Sequence, residues 1–382
     1  MDVALINGAP VAYRHRPGLG RTLVFSNSLG SDQSIWDKVI AALPRGYGIV
    51  TYDLRGHGQS GGTADSIEGL ADDISQLIDQ LGLKNVLFCG VSIGGMIGQV
   101  LAARRSDVVR GAVLSNTAVQ IGTAERWTTR ISTVEHQGVA AIAAEIVGNW
   151  FGPEYATQTD RMALHQTMVA RTTNAGYAAA CSAIQDADLQ GMAQAIKVPV
   201  LCVGGTHDQS VQAEAVARLS ASIPDAELHI MDGIGHLPCL EAPAQLAALI
   251  TAFDPRDKDT ATAGLETRRA VLGGAHVDQA ADKTTTLDQA FQTLITTGAW
   301  GQVWASPAIS ARERSMLTLA LLAATGNFDE IPMHIRATKR TGAIESDITE
   351  AFQHVAIYAG VPRANHALKL AKQTLAEISG DD

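Results

Sequence analysis

Residues 85–105 have the sequence NVLFCGVSIGGMIGQVLAARR, and this stretch decides the fold of the first part of the chain. An apolar run typical of a buried β-strand ends at Gly90, and a helical pattern follows Ser92. A serine hydroxyl is a weak nucleophile, which must be held at a tight turn against a base and close to backbone N–H donors. Because Gly90 and Gly94 permit such a turn between a strand and a helix, we predict that Ser92 is a catalytic nucleophile.

Two later strand patterns end in the residues that a serine nucleophile needs as partners. The strand VPVLCVGG (198–205) leads into Asp208, and the strand AELHIMD (226–232) leads into His236. Open α/β sheets place their sites at the carboxyl ends of strands, so we expect Asp208 to orient His236 and His236 to accept the Ser92 proton. The neighbouring His207 does not supply the fixed anion that this position requires. Each residue alone also suits an ordinary turn or loop, and the order serine, acid, histidine favours a triad.

The turn after the strand RTLVFSN (21–27) is the candidate partner of Ser92 in binding a negatively charged oxygen. We expect the backbone N–H groups of Leu29 and Ile93 to form an oxyanion hole. The alternative for Leu29 is a simple turn from strand to helix. His57, in YDLRGHGQS (52–60), precedes the serine and is therefore in the wrong order for a triad base, so we interpret it as structural.

Strand patterns alternate with helical patterns over residues 1–253, which predicts an α/β domain with a mostly parallel sheet covered on both faces. The alternation stops at about 119–192, a segment rich in Ala and Thr that we predict to be a helical cap. The alternation of strands and helices ends in DPRDKDTATAG, which has no apolar period. Residues 254–263 are therefore the predicted linker. Residues 264–382 contain helical patterns without strand patterns, and we expect a separate all-α domain.

Composition excludes several classes of protein. The 382 residues carry a net charge of −10, which argues against general binding to nucleic acids or membrane surfaces. The four cysteines form no C-x-x-C pair and suit buried positions in a reducing compartment. No signal-peptide pattern or membrane-span pattern is evident, so we expect a cytoplasmic protein. The chemistry expected of the serine site requires neither a cofactor nor a metal.

Five motifs together resemble the α/β-hydrolase family, specifically the 3-oxoadipate enol-lactonases, over residues 1 to about 253. They are SNSLGSD, YDLRGHGQS, GVSIGGMIGQ, GGTHD and GIGHLPCLEAP. Many hydrolases have His-Gly where this chain has Asn27-Ser28, and the variant is similar to the enol-lactonase subgroup. The resemblance implies a lactone substrate under the cap, where Trp127, Arg126 and Arg130 are the most interesting residues. An arginine there suits a substrate carboxylate, although a solvated helix arginine is an equal alternative.

The second domain resembles the 4-carboxymuconolactone decarboxylases along nearly all of residues 264–382. The resemblance is carried in order by GLETRRAVLGGAHVD, FQTLITTGAWGQVW, RERSMLTLALLAATG, MHIRATKRTGA and HVAIYAGVPRANHA. Related peroxidases use two cysteines, and the absence of cysteine from 264–382 excludes that chemistry. Decarboxylation needs only anion binding, enolate stabilisation and a proton donor, with no cofactor.

Several residues of the second domain are candidates for that chemistry. His334 is the first choice as proton donor, with Arg336 for carboxylate binding, although the two do not share a helix face. Glu313 is a candidate partner of His334, but SARE (310–313) is also a capping box, which we favour. His354 and Tyr358 are four residues apart on one helix face and are expected to line the same pocket.

The two resemblances imply consecutive reactions, because carboxymuconolactone decarboxylation produces the enol-lactone that an enol-lactonase opens to 3-oxoadipate. We therefore expect a bifunctional enzyme acting on small lactone carboxylates, and a homo-oligomer assembled through residues 264–382. One alternative is a single-activity lactonase or esterase whose helical domain serves only oligomerisation. Another is a non-enzymatic receptor on a hydrolase fold, against which the intact Ser92, Asp208 and His236 weigh.

Overall fold

The computed structural model describes residues 1–18, 21–44, 46–63, 66–254, 256–306 and 308–380, without the side chains of residues 256–259 and 380. The chain divides into two compact units, Met1–Pro255 and Arg256–Asp382. Among the described residues, no helix is long and apolar enough to cross a membrane.

The first unit is built on one eight-stranded sheet. Its strands are β1 Asp2–Ile6, β2 Ala9–Arg16, β3 Thr22–Ser26, β4 Gly48–Tyr52, β5 Val86–Val91, β6 Val109–Ser115, β7 Val200–Gly205 and β8 Glu227–Met231. Their order across the sheet is β1-β2-β4-β3-β5-β6-β7-β8. Strands β3 to β8 are parallel, and β1 and β2 are antiparallel to their neighbours. The α/β fold with a mostly parallel sheet is therefore confirmed.

The two antiparallel strands at the amino terminus were not among the predicted strands. Asn7 and Gly8 connect them, with φ angles of 43° and 79°. An Asn-Gly pair with two positive φ angles is the preferred two-residue turn of a β-hairpin, because its twist matches that of the strands. This hairpin extends the sheet through β2, which pairs with β4.

Helices cover the sheet of the first unit. The amphipathic helix α2 shows why, since its buried positions Ile67, Leu70, Ile74 and Leu77 recur at intervals of three and four. The helices outside the cap are α1 Asp37–Ala42, α2 Ile67–Gln80, α3 Ile93–Arg104, α10 Ala213–Ser222, α11 Pro238–Glu241 and α12 Pro243–Phe253.

The segment between β6 and β7 is entirely helical or irregular, which confirms the predicted helical cap. Its helices are α4 Ala124–Gln137, α5 Val139–Gly148, α6 Pro153–Ala156, α7 Thr159–Ala170, α8 Asn174–Asp186 and α9 Gln190–Ala195. Helix α4 packs against α8, and α5 packs against α7. The cap thus enters and leaves the sheet at two neighbouring strands.

The second unit is all-helical over its described residues, as expected. Its helices are α13 Arg256–Leu272, α14 Gly274–Asp282, α15 Gln289–Leu294, a π-helix Ile295–Trp304, α16 Ala311–Thr325, α17 Ile331–Thr341, α18 Glu345–Tyr358 and α19 Val361–Gly380. Two buried clusters stabilise this unit. One surrounds Phe352 and Leu319, and the other surrounds Trp300.

The predicted linker 254–263 differs from the structure. Asp254 is buried and accepts a hydrogen bond from Tyr47, and helix α13 begins at Arg256 and covers residues 256–263. The sequence lacks an apolar period there because α13 contacts the π-helix through small residues. A Cβ on Gly264 would overlap the Thr296 carbonyl oxygen, and a Cβ on Gly301 would overlap Thr260.

The sequence of α16, ARERSMLTLALLAAT, is apolar on nearly every side and predicts a buried helix, but the structure buries only part of it. Leu319 and Ala323 are buried, but Leu317 and Leu321 are 55% and 63% exposed. A helix that is apolar on every side is expected to bury every side. Its second apolar face is uncovered within a single chain.

Candidate active sites

Ser92 lies on a sharp turn between β5 and α3. Its φ and ψ of 59° and −121° are rare for a residue with a side chain. Neighbouring glycines make this turn sterically possible. A Cβ on Gly90 would overlap the Gly94 carbonyl oxygen, and a Cβ on Gly94 would overlap that of Ser26. The turn therefore has the geometry of a nucleophile elbow, in which a strained backbone exposes a serine at the carboxyl end of a central strand.

Asp208 and His236 are brought together by the loops after β7 and β8. His236 Nδ1 is 2.7 Å from Asp208 Oδ2, and both side chains are buried. The other carboxylate oxygen of Asp208 accepts backbone N–H bonds from Ser210 at 2.7 Å and Val211 at 2.9 Å. The pair has the arrangement in which a carboxylate fixes the orientation of an imidazole.

A third loop, directly after β6, joins Ser92 to this pair. Asn116 Nδ2 donates to Asp208 Oδ2 at 2.8 Å and to the Gly235 carbonyl at 3.1 Å. The Ser92 backbone N–H donates to the Ser115 carbonyl, and the Thr117 hydroxyl donates to the Ser92 carbonyl at 2.8 Å. Residues 115–117 therefore contact all three loops that carry the predicted triad.

The predicted oxyanion-hole residues lie on the two turns next to Ser92. Leu29 follows β3 and Ile93 begins α3, and the Gly94 N–H donates to the Asn27 carbonyl at 3.1 Å, which holds the two turns together. Among the described residues, the N–H groups of Leu29 and Ile93 have no hydrogen-bond acceptor. Two unused donors beside a serine are what an oxyanion hole requires.

His57 is fully buried and forms no described hydrogen bond with Ser92, Asp208 or His236. Its Nδ1 bonds to the Arg55 carbonyl at 2.9 Å, and burial lowers the pKa of the imidazole. Its ring stacks on Tyr177 at a centroid distance of 6.5 Å, which places it in the packing beneath the cap.

The predicted substrate residues of the cap differ in what they contact. Trp127 is buried, and its indole N–H donates to the Ile121 carbonyl at 2.6 Å, so the ring stabilises the cap and presents no free donor. Arg130 forms an ion pair with Glu145 at 2.9 Å. Arg126, which lies over the Trp127 ring, has no carboxylate partner among the described residues.

In the second unit, His334 lies on α17 with 8% of its surface exposed. Its ring stacks on Trp304 at a centroid distance of 6.3 Å. Burial lowers the pKa of the imidazole, which favours a neutral ring. No described group hydrogen-bonds to its buried Nδ1. An unsatisfied buried nitrogen calls for an explanation but does not assign a function by itself, since Nε2 of His57 has no described partner either.

The other residues predicted for this site have described partners other than His334. Glu313 is exposed and accepts bonds from both the backbone N–H and the hydroxyl of Ser310, so the capping-box interpretation accounts for it. Arg336 is exposed and pairs with Glu377 at 2.5 Å. His354 and Tyr358 stack on one face of α18, but Tyr358 is 85% exposed, so the described residues leave this pair open to solvent.

No group of described residues has the ligand set of a metal site. Asn116 is a residue of this site that the sequence analysis does not identify. The signal was present in the run Ser115-Asn116-Thr117, which follows an apolar strand beside β5 and β7. Polar residues at the carboxyl end of a central parallel strand are placed at the site.

Comparison with known proteins assigns each unit to a protein family. Residues 23–249 match the alpha/beta hydrolase family, and residues 289–373 match the carboxymuconolactone decarboxylase family. The chain belongs to the alpha/beta hydrolase family, and its second unit belongs to the carboxymuconolactone decarboxylase family.

Individual relatives narrow these assignments. The chain is 33% identical to 3-oxoadipate enol-lactonase 2 of Acinetobacter baylyi, over 63% of this chain and 90% of that protein. It is 36% identical to 4-carboxymuconolactone decarboxylase of the same organism, over 30% of this chain and 86% of that protein. The crystal structure of the enol-lactonase from Burkholderia xenovorans superposes with a TM-score of 0.64 at 34% identity, covering 66% of this chain and 99% of that one.

Proposed function

We propose that this protein is a bifunctional enzyme. Its second unit decarboxylates 4-carboxymuconolactone to 3-oxoadipate enol-lactone, and its first unit hydrolyses the enol-lactone to 3-oxoadipate. The observation that carries the proposal is the buried Asp208–His236 pair, which lies at the carboxyl ends of the parallel strands, as Ser92 does. The same chain also contains a unit of the decarboxylase family. The product of one reaction is the substrate of the other.

In the first unit, Ser92 Oγ attacks the lactone carbonyl while His236 accepts its proton. Asp208 holds the imidazole through Nδ1 and stabilises its positive charge. The N–H groups of Leu29 and Ile93 stabilise the oxyanion. Collapse of the intermediate breaks the ring C–O bond, and the enol oxygen leaves with the proton from His236. Water then hydrolyses the acyl-enzyme, and the enol becomes the ketone of 3-oxoadipate.

In the second unit, the substrate carboxylate is vinylogous to the lactone carbonyl. Loss of carbon dioxide leaves a dienolate, which must be protonated on carbon. We assign that proton transfer to His334, whose burial beside Trp304 lets it exchange a proton in a site shielded from bulk water. We keep Arg336, His354 and Tyr358 as proposed substrate contacts on one condition. An oligomer must cover the faces of these residues that are exposed in the single chain.

We also propose that the protein is a homo-oligomer assembled through its second unit. Of the seventeen large hydrophobic side chains exposed among the described residues, eleven follow residue 256, although that unit is the smaller one. Exposed apolar surface on this scale marks an interaction site. The four buried, unpaired cysteines suit a reducing compartment, so we propose a cytoplasmic location.

The test supplies 4-carboxymuconolactone to the wild type and to Ser92→Ala and follows the products by nuclear magnetic resonance. Wild type is expected to form 3-oxoadipate, and Ser92→Ala is expected to accumulate the enol-lactone faster than it hydrolyses spontaneously. His334→Ala is expected to leave carboxymuconolactone unconsumed while still opening enol-lactone supplied directly.

The alternative function is a single-activity lactonase whose helical unit serves only oligomerisation. The exposure of Glu313, His354 and Tyr358 favours it, as do the capping bonds that account for Glu313. If the wild type opens enol-lactone and leaves carboxymuconolactone unchanged, this alternative is correct. If it converts neither compound, both functions are excluded.

A further inference from the structure

A cavity of about 640 Å³ lies within the second unit, bounded by the turn that joins α13 to α14 and by one face of α17. The described residues of its lining include four basic side chains and no Asp or Glu. The basic residues are His276, Arg336, Lys339 and Arg340. Because the whole chain has a net charge of −10, this cavity is a local reversal of charge, which favours an anionic ligand.

Two arginines of the cavity differ in the charges around them. Arg336 already pairs with Glu377 at 2.5 Å. Arg340, about one turn further along α17, has no ion-pair partner among the residues that the structure describes, and its guanidinium packs on the backbone of Gly273. A Cβ on Gly273 would lie 2.8 Å from a guanidinium nitrogen, so the glycine gives Arg340 the room for this position. Arg340 therefore retains its charge for a ligand.

The start of α14 adds to the positive potential in the same wall. This helix begins at Gly274, and its N-cap residue Gly273 supplies no side-chain hydrogen bond. The first N–H groups of a helix carry a partial positive charge. Residues 273–276 line the cavity, so the end of the helix reinforces the attraction that Arg340 exerts on an anion.

The cavity also adjoins the apolar cluster beside His334. Leu272 and Met333 line the cavity and belong to the cluster around Trp300. Trp304 packs against that cluster, and the His334 ring stacks on Trp304. A lactone ring placed against Leu272 and Met333 would therefore lie on the cluster that also packs beside the proposed proton donor.

The chemistry of decarboxylation decides which carboxylate a cation should bind. The proposed substrate carries two carboxylates on one ring carbon, one attached directly and one through a methylene group. Only the directly attached carboxylate leaves as carbon dioxide, and its charge moves into the ring in the transition state. A cation paired with it would stabilise the ground state more than the transition state and slow the reaction. The carboxymethyl group keeps its charge throughout, so a cation bound to it holds the substrate without this disadvantage.

Resting on the proposed decarboxylation, we infer that this cavity is the substrate site of the second unit and that Arg340 binds the carboxymethyl carboxylate of the lactone. The ring then lies against Leu272 and Met333. The enol-lactone product has one carboxylate fewer than the substrate. A cavity with several basic groups therefore binds the product less strongly, which favours its release.

The experiment uses the purified full-length protein and two lactones. One is 4-carboxymuconolactone as the substrate. The other is its analogue with methyl in place of carboxymethyl, which is measured as a competitive inhibitor and need not react. Arg340→Ala is expected to raise KM for the substrate about tenfold to a hundredfold with little change in kcat, as for the loss of one charge-assisted hydrogen bond. The inhibition constant of the analogue should stay within about twofold of wild type, and Arg340→Lys should recover part of the loss.

Two controls separate substrate binding from folding. Arg363→Ala removes an exposed arginine of α19 that is not part of the cavity lining, and it should change neither constant. Opening of 3-oxoadipate enol-lactone is measured in every variant and should be unchanged, because Arg340 and Arg363 lie in the other unit.

Three results would overturn the inference and leave the decarboxylation intact. Equal weakening of both lactones by Arg340→Ala would assign Arg340 to the structure of the cavity. A higher kcat in Arg340→Ala would mean that Arg340 pairs with the leaving carboxylate, and no change in either constant would place the substrate elsewhere. By contrast, a wild type that leaves 4-carboxymuconolactone unconsumed overturns the proposed decarboxylation itself.

Discussion

Four hydrogen bonds end on the carboxylate of Asp208, two on each oxygen. Backbone N–H groups of Ser210 and Val211 hold Oδ1, whereas Asn116 Nδ2 and His236 Nδ1 share Oδ2. Four donors on two oxygens fix the position of the carboxylate. Asn116 is therefore a positioning residue for the proposed triad, although it need not contact the substrate.

Asn116→Ala is expected to lower kcat for lactone opening about tenfold to a hundredfold with little change in KM, since one hydrogen bond to a charged group is lost. Asn116→Asp keeps the shape but replaces the donor with a second carboxylate facing Asp208, so its kcat should be lower still. Steady-state kinetics and thermal unfolding of both variants check this. An active Asn116→Asp enzyme would mean that Asn116 only fills space.

His334 should make the second unit sensitive to acid. Burial holds its pKa below the ordinary histidine value of about 6.5, so below that pH the unfolded chain binds a proton that the folded chain does not. Its contribution to stability is therefore intact above about pH 6.5 and decreases as the pH falls through the folded-state pKa. Thermal unfolding of wild type and the uncharged His334→Gln is measured from pH 8 to 5. The midpoint of wild type should fall relative to the variant, and parallel curves would contradict the prediction.

At the scale of single residues, the sequence could identify functional residues that closely follow a strand. Ser92, Asp208 and His236 could each be placed by an apolar run before them. Asn116 also follows a strand, but no motif marks an amide that acts only through another residue. Glu313 has two interpretations from the sequence, as a partner of His334 and as part of a capping box. Its bonds to Ser310 favour the capping box.

Among the elements, α13 and the π-helix approach each other so closely that Gly264 and Gly301 have no room for a side chain. Gly264→Ala is expected to lower the free energy of unfolding of the second unit by about 1–3 kcal/mol, because the new Cβ overlaps the Thr296 carbonyl. Gly298→Ala, in the same π-helix, meets no atom within 4 Å and should be neutral or stabilising by up to about 1 kcal/mol. Calorimetry of the full chain compares the two. Equal effects would show that backbone propensity, and not close packing, decides stability here.

The same contact helps to explain why residues 256–263, the first half of α13, have the sequence pattern of a linker. Sequence periodicity detects a helix that packs through large apolar side chains, and α13 packs at Gly264 through the absence of one. The amino-terminal hairpin was missed for another reason. Its Asn7-Gly8 turn is a strong signal, but it is local and lies outside the strand–helix alternation that revealed the remaining sheet.

On the scale of the whole molecule, the uncovered face of α16 predicts self-association. The double substitution Leu317→Asp and Leu321→Asp places two charges on that face and is expected to shift the protein toward monomers in analytical ultracentrifugation. Leu164→Asp, at an equally exposed leucine of the first unit, is the matched control and should leave the assembly unchanged. A wild type that sediments as a monomer would contradict the proposed oligomer.

The cap begins and ends on strands that already lie side by side, since Ser115 of β6 pairs with Val203 of β7. The free-energy cost of closing a loop grows only with the logarithm of its length, at about 0.6 kcal/mol for each doubling. Changes in the length of the cap therefore cost little chain entropy. Two contacts limit such changes, because Asn116 donates to Asp208 and the Trp150 carbonyl of the cap accepts the His236 N–H. Substitutions in the cap that keep both contacts are expected to alter the space available to the substrate and to leave Asp208 and His236 in place.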